Sequence, residues 1–388
     1  MTTQAAGDET STIPYRPGLD GVPAGESAIC QVDEGDLGLR YRGYPIGDLA
    51  EQGTFEETAY LLLFGELPGK KESADFAERL RAEWSLPPSV EAFLDLVPST
   101  AHPMDVLRTG ISQLGMVDRD VDDGSHQANL RKSIRLLAQT PEFISAVYRR
   151  THGLQRLHPR TDLSFAANLL YLLTGRQGDA QADAMARVLD ISLILYAEHE
   201  FNASTFAARV TASTLTDLHA AVTSAIGTLK GPLHGGANEA VAAMLMDVGS
   251  PDRAEPWVRT SLAEKRRVMG FGHRVLKKGD PRSLIIQREA ERLSRLCENR
   301  RWYDTAVTID RIMQSEKALY PNLDFYTAVA YLLMDIPREL YTPVFVCSRM
   351  SGWCAHVIEQ QDHNRLMRPR ALYTGPPART YVSLDRRG

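Results

Sequence analysis

The chain has 388 residues, 43% hydrophobic and 24% charged, the proportions of a globular protein long enough for two domains. Its formal net charge of −5, with Lys and Arg dispersed, offers no basic face to a nucleic acid. No apolar run reaches the ~18 residues that a membrane helix needs. Residues 1–17 are polar and lack the basic start and apolar stretch of a signal peptide, so they read as a loose tail and the protein as cytoplasmic. From 18 to 46 the chain is rich in glycine, and two short apolar pieces, 28–32 and 37–41, predict one small β-hairpin.

Beyond that the pattern is helical. Thr54 and Glu57 form a capping box ahead of the apolar stretch 59–64. Thr140-Pro141, Asp280-Pro281 and Thr342-Pro343 each place a capping residue before a proline and predict helix starts. Segments 162–175, 180–197, 214–230 and 284–298 carry helical spacing, and no series of strands alternates with them. The class is therefore all-α. The glycine-rich stretch 230–238 and the segment 320–327 are hinge candidates. The charged helical region between them reads as an inserted second domain. Cys30, Cys297, Cys347 and Cys354 have neither CxxC nor disulfide-framework spacing and read as small core hydrophobes.

Chemistry-bearing residues concentrate in three segments. In KGPLHGGANE (230–239), His234 sits among glycines just before a helical run starting at Ala237. The positive end of a helix dipole opposes protonation, which would keep the imidazole neutral and able to donate a hydrogen bond. The plainer alternative is a glycine-rich turn with an incidental histidine. In MGFGHRVLKKGDPR (269–282), His273 again neighbours glycines, and Arg282 falls in the first turn of a helix. A cation there conflicts with the dipole; a bound carboxylate would relieve it, the alternative being a solvated arginine. In YPNLDFY (320–326), Asp324 sits between apolar residues at a turn into a helix, where burial would raise its pKa toward that of a general base. As a plainer reading, Asp324 is a helix cap.

Arg349 interrupts the apolar stretch 343–358, with Phe345 and Trp353 one turn away on either side, so its anionic partner is either a distant carboxylate or a bound anion. His199 lies between Glu198 and Glu200 at the end of a helix and reads by itself as structural. No HxxxH, HExxH, P-loop, GxGxxG or GxSxG pattern is present, so no metal, nucleotide-binding loop or serine nucleophile is expected.

Together these segments resemble the citrate synthases, a family that includes the 2-methylcitrate synthases. The resemblance is carried by YRGYPIGDLA (41–50), HPMDVLRTGIS (102–112), EHEFNASTFAARV (198–210), GPLHGGANE (231–239), GFGHRVLKKGDPR (270–282), PNLDFY (321–326), SRMSGWCAHVIEQ (348–360) and RLMRPRALYTG (365–375). It implies an all-α fold apart from a small hairpin. A large domain would be formed by 18–235 and 335–388, with a smaller inserted helical domain at 236–334. It also implies a homodimer of the short bacterial or archaeal type. By the same resemblance His234, His273 and Asp324 are catalytic. Asp324 takes a proton from the acyl methyl of acetyl-CoA, His234 stabilises the enolate oxygen and His273 polarises the ketone of oxaloacetate. His199, Arg282 and Arg349 would bind oxaloacetate, with Arg368 supplied across the dimer interface. Arg274, Lys277 and Lys317 are candidates for the CoA phosphates. No cofactor is implied, since acetyl-CoA is a substrate.

The alternative substrate is propionyl-CoA. A Tyr326 side chain turned toward the acyl site would crowd its extra methyl, and the RPRALYTG ending looks more like citrate-specific members, so acetyl-CoA is the expected substrate. A reading of another class is an inactive CoA- or dicarboxylate-binding regulator on the same fold; the presence of His234, His273 and Asp324 together speaks against it.

Overall fold

A computed structural model describes residues 15–32, 38–272 and 279–387. His273, Arg274 and Lys277 lie outside the described residues. Near the N-terminus, strands β1 (Cys30–Val32), β2 (Leu39–Tyr41) and β3 (Tyr44–Pro45) form an antiparallel sheet in that order, with Cys30 opposite Tyr41 and Tyr41 opposite Tyr44. The expected hairpin is thus present, extended by one short strand across the tight turn at Arg42 and Gly43, both at positive φ.

Helices make up the rest of the fold among the described residues. They are α1 (Ile46–Gln52), α2 (Phe55–Phe64), α3 (Lys70–Ala82), α4 (Pro88–Leu94), α5 (Pro103–Val117), α6 (His126–Thr151), α7 (Phe165–Thr174) and α8 (Ala180–Tyr196). There follow α9 (Ala203–Ala212), α10 (Leu218–Leu229), α11 (Ala237–Val248), α12 (Pro251–Ala263), α13 (Pro281–Leu296), α14 (Arg301–Lys317), α15 (Leu323–Leu333) and α16 (Tyr341–Asp362). No described helix is long and apolar enough to cross a membrane.

Local signals account for several starts. Thr54 Oγ1 accepts from the Glu57 N–H at 3.2 Å and Glu57 Oε2 from the Thr54 N–H at 2.8 Å, the reciprocal capping box read from sequence. Asp280 caps α13, accepting from the Arg282 N–H at 3.0 Å ahead of Pro281. One proline signal misleads and another is displaced by two residues. Pro141 lies inside α6, which starts at the Ser125 cap. An interior proline costs about 3 kcal/mol. Continuous burial from Lys132 to Val147 outweighs it, and the Thr140 hydroxyl turns back to the Leu136 carbonyl at 2.6 Å instead of capping a new helix. At Thr342-Pro343 the helix has already begun: α16 continues from the 3-10 turn Arg338–Leu340, and the Thr342 hydroxyl bonds the Glu239 carboxylate on α11.

At the centre, α16 is buried at every position from Tyr341 to Ile358 and packs on α2, α5, α6, α8, α9, α10 and α11. Such a helix belongs in a core, and its polar side chains need internal partners. Ser348 donates to the Leu193 carbonyl and Ser351 to the Ser348 carbonyl. Cys347 and Cys354 are buried on it as free thiols, Cys30 is buried on β1, and Cys297 is half-buried. Helices α11 to α15 pack on one another, α12 on α14 and α15 on α11, α13 and α14, while α13 also meets α8 and α1.

A close approach lies where α16 crosses the turn after α8. A Cβ on Gly352 would stand 2.3 Å from both the Ala197 carbonyl oxygen and Glu198 Oε2. Gly352→Ala is therefore expected to destabilise the fold by about 1–3 kcal/mol in denaturant unfolding. It should disturb the turn that carries His199; a variant as stable as wild type would show that the contact relaxes freely.

Candidate active site

The end of α8 gathers the site. The last carbonyls of a helix lack intrahelical donors and carry the negative end of its dipole. Here they are met by side chains from distant parts of the chain. The Tyr41 hydroxyl lies 3.1 Å from the Ile194 oxygen, Arg282 Nη1 donates to Leu195 at 3.3 Å, and Arg349 Nε donates to Tyr196 at 2.7 Å. Both arginines are buried, at 4% and 2% exposure.

The two guanidinium groups differ. Arg282 is neither solvated nor waiting for its first anion. Its Nε and Nη2 reach Asp280 at 3.0 and 2.8 Å, so the capping carboxylate resolves the conflict between cation and helix N-terminus. Burial opposes this charge, but Asp280 more than offsets it and holds the Arg282 pKa above its ordinary value. In Arg349 burial prevails and lowers the pKa, against the opposing charge of Glu198. Its guanidinium carbon lies 4.8 Å from the Phe345 ring centre, and Nη1 has no hydrogen-bond partner among the described residues. That donor is suited to an incoming carboxylate.

Asp324 occupies the first turn of α15, but Asn322 performs the capping, accepting from the Asp324 N–H at 3.1 Å. Asp324 Oδ1 instead accepts from the Tyr196 hydroxyl at 2.6 Å. Desolvation pushes the carboxyl up to about 6, restrained by the Tyr196 hydrogen bond and the charge of Arg282. That is the direction expected of a general base. The chain before it is fixed by an isolated bridge between Phe271 and Pro321 and by the Asn322 N–H donating to the Gly270 carbonyl at 2.9 Å. Gly270 has φ +84°, and a Cβ there would lie 2.8 Å from Phe325 and Val241 side chains, so only glycine fits this junction.

His234 lies in the turn before α11, where the Gly235 N–H donates to the Leu229 carbonyl at 2.9 Å. Its Nε2 accepts from the Ser204 backbone N–H at 3.3 Å and sits 2.8 Å from the Ser204 hydroxyl. That hydroxyl also lies 2.8 Å from Asn202 Oδ1 and accepts from Trp353 Nε1 at 3.1 Å. With Nε2 accepting, the neutral ring carries its proton on Nδ1. Burial, aided by the charge of Arg349, lowers the His234 pKa to about 4. Neutrality thus follows from desolvation more than from the helix dipole invoked above. The Phe345 ring joins the parts, 4.4 Å from Tyr196 and 6.4 Å from His234 between ring centres.

His199 is half-buried in the turn after α8, its N–H donating to Glu198 Oε1 at 2.7 Å. Glu198 in turn faces His356 Nε2 at 3.1 Å, and both are fully buried. Lys317 is exposed at the end of α14. Arg368 is exposed on the segment after α16 and makes no hydrogen bond or ion pair among the described residues. Among the described residues no cluster of three or more His, Cys, Asp or Glu is placed to hold a metal ion. The sequence leaves open which way Tyr326 points, and the structure gives its direction. Tyr326 does not face Asp324; two residues along a helix is about 200° around its axis. Its hydroxyl donates to Asp310 Oδ2 at 2.7 Å and accepts from Gln287 at 2.9 Å, inside the packing of α13, α14 and α15.

Residues 18–370 match the family model described as citrate synthase, C-terminal domain. The chain belongs to the citrate synthase family. It is 45% identical over 371 residues to citrate synthase 2 of Bacillus subtilis, covering 95% of this chain and 98% of that one. It is 44% identical over 371 residues to a 2-methylcitrate synthase of Shewanella oneidensis, covering 95% and 97%. Its structure is similar to citrate synthase from Thermoplasma acidophilum in ternary complex with carboxymethyl coenzyme A and oxaloacetate. The TM-score is 0.89 at 30% identity, covering 96% of this chain and all of that one. Sequence reasoning on single residues missed Tyr196, Ser204, Asn238 and Asp280 as site neighbours. Ser204, Asn238 and Asp280 lie within the family segments, whereas Tyr196 stands in an apolar helical run with no local signal.

The low pKa of His234 gives a direct expectation. In a 15N NMR titration of the imidazole, His234 stays neutral from pH 7 down to pH 5, with Nδ1 protonated. A ring that gains its second proton near pH 6.5, the ordinary histidine value, would contradict the enclosed environment.

Proposed function

We propose that the protein condenses acetyl-CoA with oxaloacetate and hydrolyses the resulting citryl-CoA to citrate and CoA. The reading is carried by one juxtaposition: a carboxylate raised toward neutrality by burial shares a wall, Tyr196 and Phe345, with an imidazole held neutral by the same burial. A thioester methyl is a weak acid, so its deprotonation needs a base close to it and a donor to the developing enolate oxygen. Asp324 takes the proton, and the Nδ1–H of His234 donates to the oxygen. The enolate carbon attacks the ketone of oxaloacetate, which His273 polarises. Arg349 Nη1 and His199 hold the oxaloacetate carboxylates, Arg282 adds fixed positive charge, and Arg368 enters from the second protomer of a homodimer. Segment 236–334 closes over oxaloacetate as a unit, and Arg274, Lys277 and Lys317 receive the CoA phosphates.

Propionyl-CoA is the second substrate. Tyr326 is tied to Asp310 and puts no ring against an added methyl. A single methylene changes selectivity by only about 1–3 kcal/mol. On the RPRALYTG ending alone, acetyl-CoA is expected to give the higher kcat/KM, with propionyl-CoA turned over measurably. The test is oxaloacetate-dependent release of free thiol from each thioester. Asp324→Asn should keep the fold and oxaloacetate affinity while turnover falls by about 10²–10⁴-fold. Near-normal turnover in that variant would remove Asp324 from the base role, and a higher kcat/KM for propionyl-CoA would reverse the substrate order.

The shared site has its own test. Arg368→Ala and Asp324→Asn homodimers should each be nearly inactive. In a mixed dimer one site combines an intact Asp324 with an intact Arg368, so subunit exchange should restore activity. Heterodimers that form and remain inactive would show that Arg368 does not serve the neighbouring site.

A further inference from the structure

Asp324 is held by a residue outside the set considered so far. The Tyr196 hydroxyl, on a side chain 3% exposed, meets Asp324 Oδ1 at 2.6 Å. The same hydroxyl accepts from Asn238 Nδ2 at 3.1 Å, and Asn238 is 1% exposed. An oxygen that accepts from the amide is left with its one proton to direct elsewhere, and Asp324 Oδ1 lies in that direction. Among the described residues no other side chain hydrogen-bonds the carboxylate. The phenol is enclosed, with its ring 4.4 Å from that of Phe345 between ring centres.

We propose that Tyr196, oriented by Asn238, is a positioning residue that fixes the Asp324 carboxylate through Oδ1 and leaves Oδ2 to take the proton from the acyl carbon. The inference rests on the reading of Asp324 as the base. In the step, the acyl C–H bond breaks, its proton forms a bond to Oδ2, and its electron pair passes into the thioester enolate. Tyr196 exchanges no proton. Burial, then the neighbouring Asp324 charge, raise the phenol well above its ordinary pKa, so it remains a donor throughout. A hydrogen bond to the ionised form favours that form. Tyr196 thereby counteracts the desolvation that would otherwise keep Asp324 protonated. The other charged groups acting on Asp324 are Arg282 and Arg349, which favour ionisation, and Asp280, which opposes it.

Tyr196→Phe removes the donor and keeps the ring. The acidic limb of kcat/KM for acetyl-CoA, measured at saturating oxaloacetate, should move up by about one pH unit, with activity below the limb reduced about ten-fold. The affinity for oxaloacetate should stay unchanged. Asn238→Leu, which frees the hydroxyl to turn, should move the limb in the same direction by less. Direct titration of the Asp324 carboxyl by NMR in aspartate-labelled protein gives the same comparison without turnover. It separates failure of this inference from failure of the proposed reaction. A carboxyl titration unmoved in both variants would overturn the proposal. So would a loss of activity matched by an equal loss of oxaloacetate affinity, since that is the signature of a merely structural tyrosine.

Discussion

Four side chains converge on the terminal carbonyls of α8, and the site depends on that convergence. Ser348 bonds Leu193, the Tyr41 hydroxyl lies among the Ile194, Leu195 and Glu198 carbonyls, Arg282 bonds Leu195 and Arg349 bonds Tyr196. A buried helix end with open carbonyls would be costly, and two buried cations without an acceptor would be costlier. Each problem answers the other: the negative end of the helix receives the guanidinium groups, and they complete the helix. Asp280 then secures Arg282 from a second side, while Arg349 keeps a donor in reserve. The requirement for a tight approach explains Gly352, since α16 must lie against the turn after α8 for Arg349 to reach it.

The same enclosure acts on acid and base with opposite sign. Removing water disfavours whichever form is charged, so Asp324 rises and His234 falls. Two groups whose ordinary pKa values lie well apart are thereby exchanged in order, the carboxyl ending above the imidazole. Near neutrality the pocket holds an ionised carboxylate and a neutral ring, the pairing that proton abstraction and enolate stabilisation require. Hydrogen bonds then decide geometry: Ser204 fixes which nitrogen of His234 donates, and Asn322 and Tyr196 hold Asp324.

Much of this was legible in the sequence, and the limits were physical. The Thr54 capping box and the Asp280-Pro281 start are local events within one turn of chain, and both appear as read. The glycine-flanked histidine and the Asp324 segment could be singled out because their residue types are expensive to place without purpose. Pro141 carried the same local signal as Pro281, but its helix had begun at Ser125 and tertiary burial kept it continuous. The sequence places Tyr326 two residues after Asp324 without its direction, and the helical rotation between them decides which way it faces. Tyr196 could not be found at all: its meaning comes from meeting Asp324, 128 residues away, and its immediate neighbours are ordinary core residues.

The spacing of the α8 contacts has a consequence for biosynthesis. Arg349 is 153 residues from the carbonyl it caps, Ser348 is 155 from its own, and Tyr41 reaches across a similar span from the other side. Closing loops of that length adds little to the final stability, because the entropic cost grows only logarithmically. It does set the order of events. A nascent chain can form the sheet, the early helices and α8 itself, yet the Leu193 and Tyr196 carbonyls cannot meet Ser348 and Arg349 until α16 has left the ribosome. This cluster of contacts is therefore completed late in synthesis, and a chain ending before Arg349 would leave the Tyr196 carbonyl without its donor.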